Sequence, residues 1–123
     1  MNVSEFDEGA FVNKLRDVCA AFPETDECLS FGHPTWKAGK KTFAVFEEYR
    51  GRKSVVINVG IDAQELLLHD KCFYLTPYIG KKGWISLDVG MRADWNEITD
   101  LITRSYRRVA NKRMLARLRK CGG

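Results

Sequence analysis

The chain has 123 residues, of which 45% are hydrophobic and 29% charged, with 7 Phe, 4 Tyr, 3 Trp and only 3 Pro. That is the length of one domain with enough apolar material for a core, which excludes a two-domain organisation and a disordered tail. The formal net charge is +4 and lies in blocks: residues 1–30 hold 7 acids and 2 bases, 31–60 hold 6 bases and 2 acids, 61–100 hold 7 acids and 4 bases, and 101–123 hold 8 bases and no acid.

In chain order, Ser4-Glu5-Phe6-Asp7 is a helix-capping signal, and Phe11, Leu15, Val18 and Phe22 recur at helical spacing. A first helix is expected over Glu5 to Phe22, stopped by Pro23. From Cys28 to Val59 the period becomes two and glycines punctuate the chain, which predicts strands at Leu29–Phe31, Thr35–Ala38, Thr42–Glu47 and Ser54–Val59. The short connections predict an antiparallel meander. Asp62-Ala63-Gln64-Glu65 predicts a second cap and a short helix. Phe73–Thr76 and Trp84–Val89 read as strands around the Gly- and Lys-bearing loop 77–83. Asp94-Trp95-Asn96-Glu97 opens the last long helix, with Trp95, Ile98, Leu101, Ile102, Ser105 and Val109 on one face. Asn111 marks a break before a further short amphipathic piece. This order predicts a single α+β domain over 1–118, with helices on one face of an antiparallel sheet, and a basic tail at 119–123.

No apolar run approaches the ~20 residues of a membrane span. Acids by position 8 with no apolar stretch after them predict no secretory signal and a cytoplasmic protein without a membrane partner. Cys19, Cys28, Cys72 and Cys121 are irregularly spaced, so reduced thiols are expected, three of them buried, and no zinc site. The catalytic inventory is thin. His33 and His69 lack motif partners, and Gly-rich phosphate cradles are absent. The acids Glu24, Asp26 and Glu27 read as a solvated helix-end cluster rather than a metal site. No enzymatic activity, cofactor or metal is expected.

The basic turns carry more information. Lys37, Lys40 and Lys41 flank Gly39, Arg50, Arg52 and Lys53 flank Gly51, and Lys81 and Lys82 lie between Gly80 and Gly83. Glycine allows a turn to approach a polyanion closely, and long cationic side chains neutralise phosphates without reading bases. Arg104, Arg107 and Arg108 lie on the expected solvent side of the last helix, inside the densest basic block. These residues point to an anionic partner. The alternative is that charged tips only keep sheet edges soluble.

The segments Glu24-Thr25, Phe31-Gly32-His33-Pro34-Thr35-Trp36-Lys37 and Gly39-Lys40-Lys41-Thr42-Phe43-Ala44 resemble the signature of the MmcQ/YjbR family of small bacterial proteins. The stretches 76–85 (TPYIGKKGWI), Ser105-Tyr106 and Val109-Ala110 resemble its later blocks, and Asp26, Glu27 and Cys28 depart from it as an apparent extra turn. The resemblance implies a CyaY-like α+β fold with helices from both termini flanking the sheet. It also implies a "double-wing" arrangement proposed to bind DNA, whose wings here would be the hairpins around Gly39, Gly51 and Gly80. The reading is therefore a non-enzymatic, sequence-tolerant DNA-binding protein, monomeric or a weak homodimer. The alternative is a small-ligand or protein-binding domain around Phe31–Trp36, with a pocket formed by His33, Trp36, Tyr78 and Trp84.

Overall fold

The computed structural model describes residues 6–122. In chain order it comprises α1 (Glu8–Ala20), β1 (Thr25–Ser30), β2 (His33–Ala38), β3 (Lys41–Tyr49), β4 (Arg52–Asn58), α2 (Ile61–Leu67), β5 (Phe73–Leu75), β6 (Trp84–Asp88), α3 (Trp95–Val109) and α4 (Lys112–Gly122). The six strands form one sheet in the order β1-β2-β3-β4-β6-β5, with every neighbouring pair antiparallel. The α+β architecture expected from the sequence is the one observed, with terminal helices flanking the sheet.

Strand alternation sends Trp36, Ala44, Phe46, Val55, Ile57, Ile85 and Leu87 to one face, where they meet Phe11 and Leu15 of α1 and Ile98, Ile102 and Tyr106 of α3. Burying these side chains supplies the main stabilisation of the domain. Asp94 caps α3 by accepting from the amides of Asn96 and Glu97. Asp7 caps α1 by accepting from Ala10 N–H; the expected cap at Ser4 lies outside the described residues. At α2 the capping residue is Gly60, with no side-chain bond, so Asp62-Ala63-Gln64-Glu65 is not a capping box.

The boundaries moved where pairing overrode local signals. Asp26, Glu27 and Cys28, expected as an extra turn, are strand residues because β1 pairs along its whole length with β2. Phe31, expected as strand, occupies the tight turn with Gly32, both at positive φ (52° and 82°), as a twist-matched two-residue hairpin requires. Cys28 is exposed on this edge strand rather than buried, while Cys19 and Cys72 are buried. Burial pushes the Cys19 thiol well above its ordinary range. The expected tail from 119 is helical as far as Gly122.

One hydroxyl of α3 bonds to the backbone of the sheet. Between β2 and β3 the register passes from Trp36↔Ala44 to Lys37↔Thr42, so Phe43 is the extra residue of a bulge. Phe43 and Ala44 both enter the core. Across the sheet the β3–β4 ladder ends at Ala44↔Ile57, leaving the Phe43 carbonyl and the Asn58 amide to be satisfied elsewhere. Ser105 does both: its hydroxyl donates to Phe43 O at 2.6 Å and accepts from Asn58 N at 3.0 Å. The next residue, Tyr106, donates to Pro23 O at 2.7 Å and stacks on Phe22 at 4.7 Å. Ser105→Ala strands a buried donor and a buried acceptor, so it is expected to lower unfolding free energy by about 2 kcal/mol. A urea melt of the variant, read by tryptophan fluorescence, measures that loss.

Candidate nucleic-acid interface

Antiparallel order decides which turns can act together. Successive turns of a meander lie at opposite ends of the sheet. The β2–β3 turn at Gly39-Lys40 and the β5–β6 connection therefore share one end, because Asn58 of β4 pairs with Trp84 of β6. Their hairpins are centred three strand positions apart, about 14 Å at ordinary strand spacing. The bonds of Ser105 to Phe43 and Asn58 bring the C-terminal half of α3 to the same end. Lys37, Lys40, Lys41, Lys81, Lys82, Arg104, Arg107 and Arg108 are thus gathered at one pole of the molecule. Among the described residues none of the eight is in an ion pair.

Arg108, Arg104 and Lys82 line a common groove of about 380 Å³ beside Gly60, with Asp62 as the carboxylate on its wall. Asn58 organises this junction. Its Oδ1 accepts from Arg108 Nε at 2.9 Å and from Gly60 N at 3.1 Å, and its Nδ2 donates to Lys82 O at 3.3 Å. The guanidinium is therefore anchored through Nε rather than free to sweep the surface. Gly60 lies at φ 87°, and a Cβ there would stand 2.8 Å from Arg108 Nη1, so close approach and backbone conformation both call for glycine.

The loop that carries Lys81 and Lys82 is pinned from below. Lys81 and Lys82 sit in a short 3-10 turn. Buried Gln64 of α2 donates from Nε2 to Gly80 O at 2.6 Å and to Trp84 O at 2.7 Å, one bond on each side of that turn. Asn58 and Gln64 were both missed by sequence reasoning. Asn58 closes an apolar strand pattern and Gln64 sits in a run that reads as a cap, so neither announces its partners.

The third basic turn does not join the others. The β3–β4 turn, with Arg50, Arg52 and Lys53, lies at the opposite pole, and its charges are largely spent there. Arg52 Nε binds Asp88 at 3.0 Å with its guanidinium 4.0 Å from the Tyr74 ring centre. Lys53 Nζ binds Glu8 at 2.6 Å and Glu48 at 3.0 Å, and these carboxylates raise its pKa. Arg50 lies over Tyr49 at 5.3 Å. Of the three basic hairpins, those around Gly39 and Gly80 share one end of the sheet and the one around Gly51 lies at the other.

The pocket expected from His33, Trp36, Tyr78 and Trp84 is also redrawn. His33 and Tyr78 line one cleft on the sheet face opposite the core. Trp36 points to the other face, is 2% exposed, and donates from Nε1 to Glu27 at 3.2 Å. Trp84 is half-buried at the basic end of β6, outside the cleft lining.

Of the acids Glu24, Asp26 and Glu27, the two glutamates are committed to arginines. Arg16 grips Glu27 at 2.6 Å and 2.9 Å. Glu24, at φ 57°, accepts from Gly39 N through its carbonyl and from Arg113 and Arg117 of α4 through its carboxylate. These bonds, Arg113 first, hold the Glu24 carboxyl at about 2 against its ordinary 4.5. Because the folded value is depressed, the contribution is complete above pH 4.5 and is lost as pH falls toward about 2. The α4 attachment should weaken over that window. A Glu24→Gln variant should show a flatter acid limb in thermal unfolding followed by circular dichroism. Gln64→Ala leaves the Gly80 and Trp84 carbonyls without their donor and is expected to cost about 1–3 kcal/mol. Faster amide exchange across residues 79–84 would locate the loss.

An α+β domain with a two-loop basic pole is the class that the fold and site define. The family model for YjbR matches residues 20–108, and the chain belongs to the YjbR family. Its structure is similar to the crystal structure of Deinococcus radiodurans protein DR2400, a DUF419 domain, with a TM-score of 0.71. The two share 21% identity over 90% of this chain and 87% of that one, a likeness of fold. No curated protein sequence matches the chain.

Proposed function

We propose that this YjbR-family protein is a non-enzymatic DNA-binding protein that holds the phosphate backbone with little regard to sequence. The observation that supports this reading is the gathering of eight cations at one pole, outside any ion pair among the described residues, while those at the other pole are largely neutralised. Lysines and arginines meeting phosphates displace condensed counterions, and that release drives binding without base contacts. The β2–β3 turn and the β5–β6 loop act as two arms on either side of β4, with Arg104, Arg107 and Arg108 between or beside them. Anchored Arg108 offers a preorganised guanidinium fork for a phosphate. Trp36, whose ring is spent in the core, takes no part in base contacts.

The test is fluorescence anisotropy with a short random duplex across a salt series. With about four to five phosphates neutralised, log affinity should fall against log salt with a slope near −4. The double variant Lys82→Ala/Arg108→Ala should reduce that slope by about 2 and weaken binding equally for unrelated sequences. Arg50→Ala, at the other pole, should leave binding unchanged. An absence of binding at low salt would make the basic pole a solubility feature.

A further inference from the structure

The sheet face opposite the core carries a second concavity of contrary electrostatic character. Alternation places His33, Thr35, Val45, Glu47, Val56 and Ser86 on this face. Val56 is only 2% exposed although the core helices lie on the other side, and the segment from Thr76 to Ile79 lines the same cleft. The result is a cleft of about 300 Å³ with Val45 and Val56 as an apolar floor, Pro77, Tyr78 and Ile79 along one wall, and His33 and Glu47 supplying polar groups. That volume is at the lower end of small-molecule sites.

Its charge is the informative feature. Glu47 and Glu48 are lining residues, and no Lys or Arg is among them. Glu48 is engaged by Lys53 at 3.0 Å. Glu47 has neither an ion-pair nor a hydrogen-bond partner among the described residues. A half-buried carboxylate above an apolar floor repels phosphates and attracts cations, so this cleft does not extend the basic pole.

The aromatics add to this. Tyr78 is 95% exposed and adopts φ 69°, a region that bulky side chains seldom occupy. Its ring is held outward at the cleft without packing into the core. Elsewhere on the same face the chain seats its own cation on a tyrosine, with the Arg52 guanidinium 4.0 Å from the Tyr74 centroid.

We propose that this cleft binds a small organic cation, an ammonium or guanidinium group on a flat apolar body. The charge would meet the Glu47 carboxylate, and the body would lie against Tyr78 over Val45 and Val56. The inference is independent of the DNA reading, since it uses another face and the opposite charge.

The probe is tryptamine, titrated into the full chain and followed by amide chemical shifts. Indole-3-propionate, with the same ring and the opposite charge, is the comparison. Tryptamine is expected to give saturable shifts centred on His33, Val45, Glu47 and Tyr78, and to bind at least about tenfold more tightly than the anion. Glu47→Gln should weaken tryptamine about tenfold while leaving the remaining spectrum native. Lys82→Ala/Arg108→Ala, the DNA variant, should bind tryptamine as the unsubstituted chain does. Equal affinity for the two indoles, shifts centred elsewhere, or no saturation would each overturn the proposal. The comparison of the two indoles is made on the unsubstituted protein, so the outcome stands even if Glu47→Gln fails to fold.

Discussion

The hydroxyl of Ser105 is the contact on which the rest of the arrangement depends. A bulge at Phe43 lets two successive side chains, Phe43 and Ala44, enter the core, but it frees a carbonyl that the sheet cannot satisfy. The end of the β3–β4 ladder likewise frees the Asn58 amide. One buried hydroxyl serves both, at 2.6 Å and 3.0 Å, and in doing so sets the depth and rotation of α3 on the sheet. Tyr106 extends the same constraint to the α1–β1 connection through Pro23. The helix face away from Ser105 and Tyr106 then carries Arg104 and Arg107 into solvent, with Arg108 at its edge bonded to Asn58, at the pole where the two lysine-bearing connections emerge.

Charge separation in this molecule follows from strand direction. Antiparallel order sends alternate turns to opposite ends, so the basic turns divide two against one. At the solitary turn, Asp88, Glu8 and Glu48 are within reach and take up Arg52 and Lys53. At the other pole the principal acids are drawn elsewhere: Glu24 turns to α4 and Glu27 to α1. A nearly balanced composition thereby yields a polar molecule, with a basic end and an acidic cleft on the outer sheet face. The β5–β6 connection serves both. Pro77, Tyr78 and Ile79 line the cleft, and Lys81 and Lys82, a few residues on, belong to the basic pole.

Side-chain amides, one buried and one half-buried, position the outer groups. Gln64 spans the 3-10 turn with two bonds from one nitrogen, and Asn58 links a strand end, the Lys82 carbonyl and Arg108. Such groups gain little from burial by themselves. Their value lies in the carbonyls and amides that would otherwise be left unpaired. That is why a loop rich in glycine and lysine holds a defined path.

The sequence by itself determined the class of fold, the two long helices, the cap at the start of α3, the meander, and the family, because hydrophobic period, turn glycines and ordered motif blocks are local properties. It also named the cations of the basic pole individually. It did not place Phe31 in a turn or Asp26–Cys28 in a strand, since pairing with β2 overrode local composition there. Only the tertiary structure decided that Arg50, Arg52 and Lys53 stand apart, that Trp36 faces the core while His33 faces a cleft, and that Asn58 and Gln64 hold the loops. The physical reason is the same in each case. Which end of a sheet a turn occupies, and which face a strand residue points to, depend on partners distant in the chain, and neighbouring residues carry no record of them.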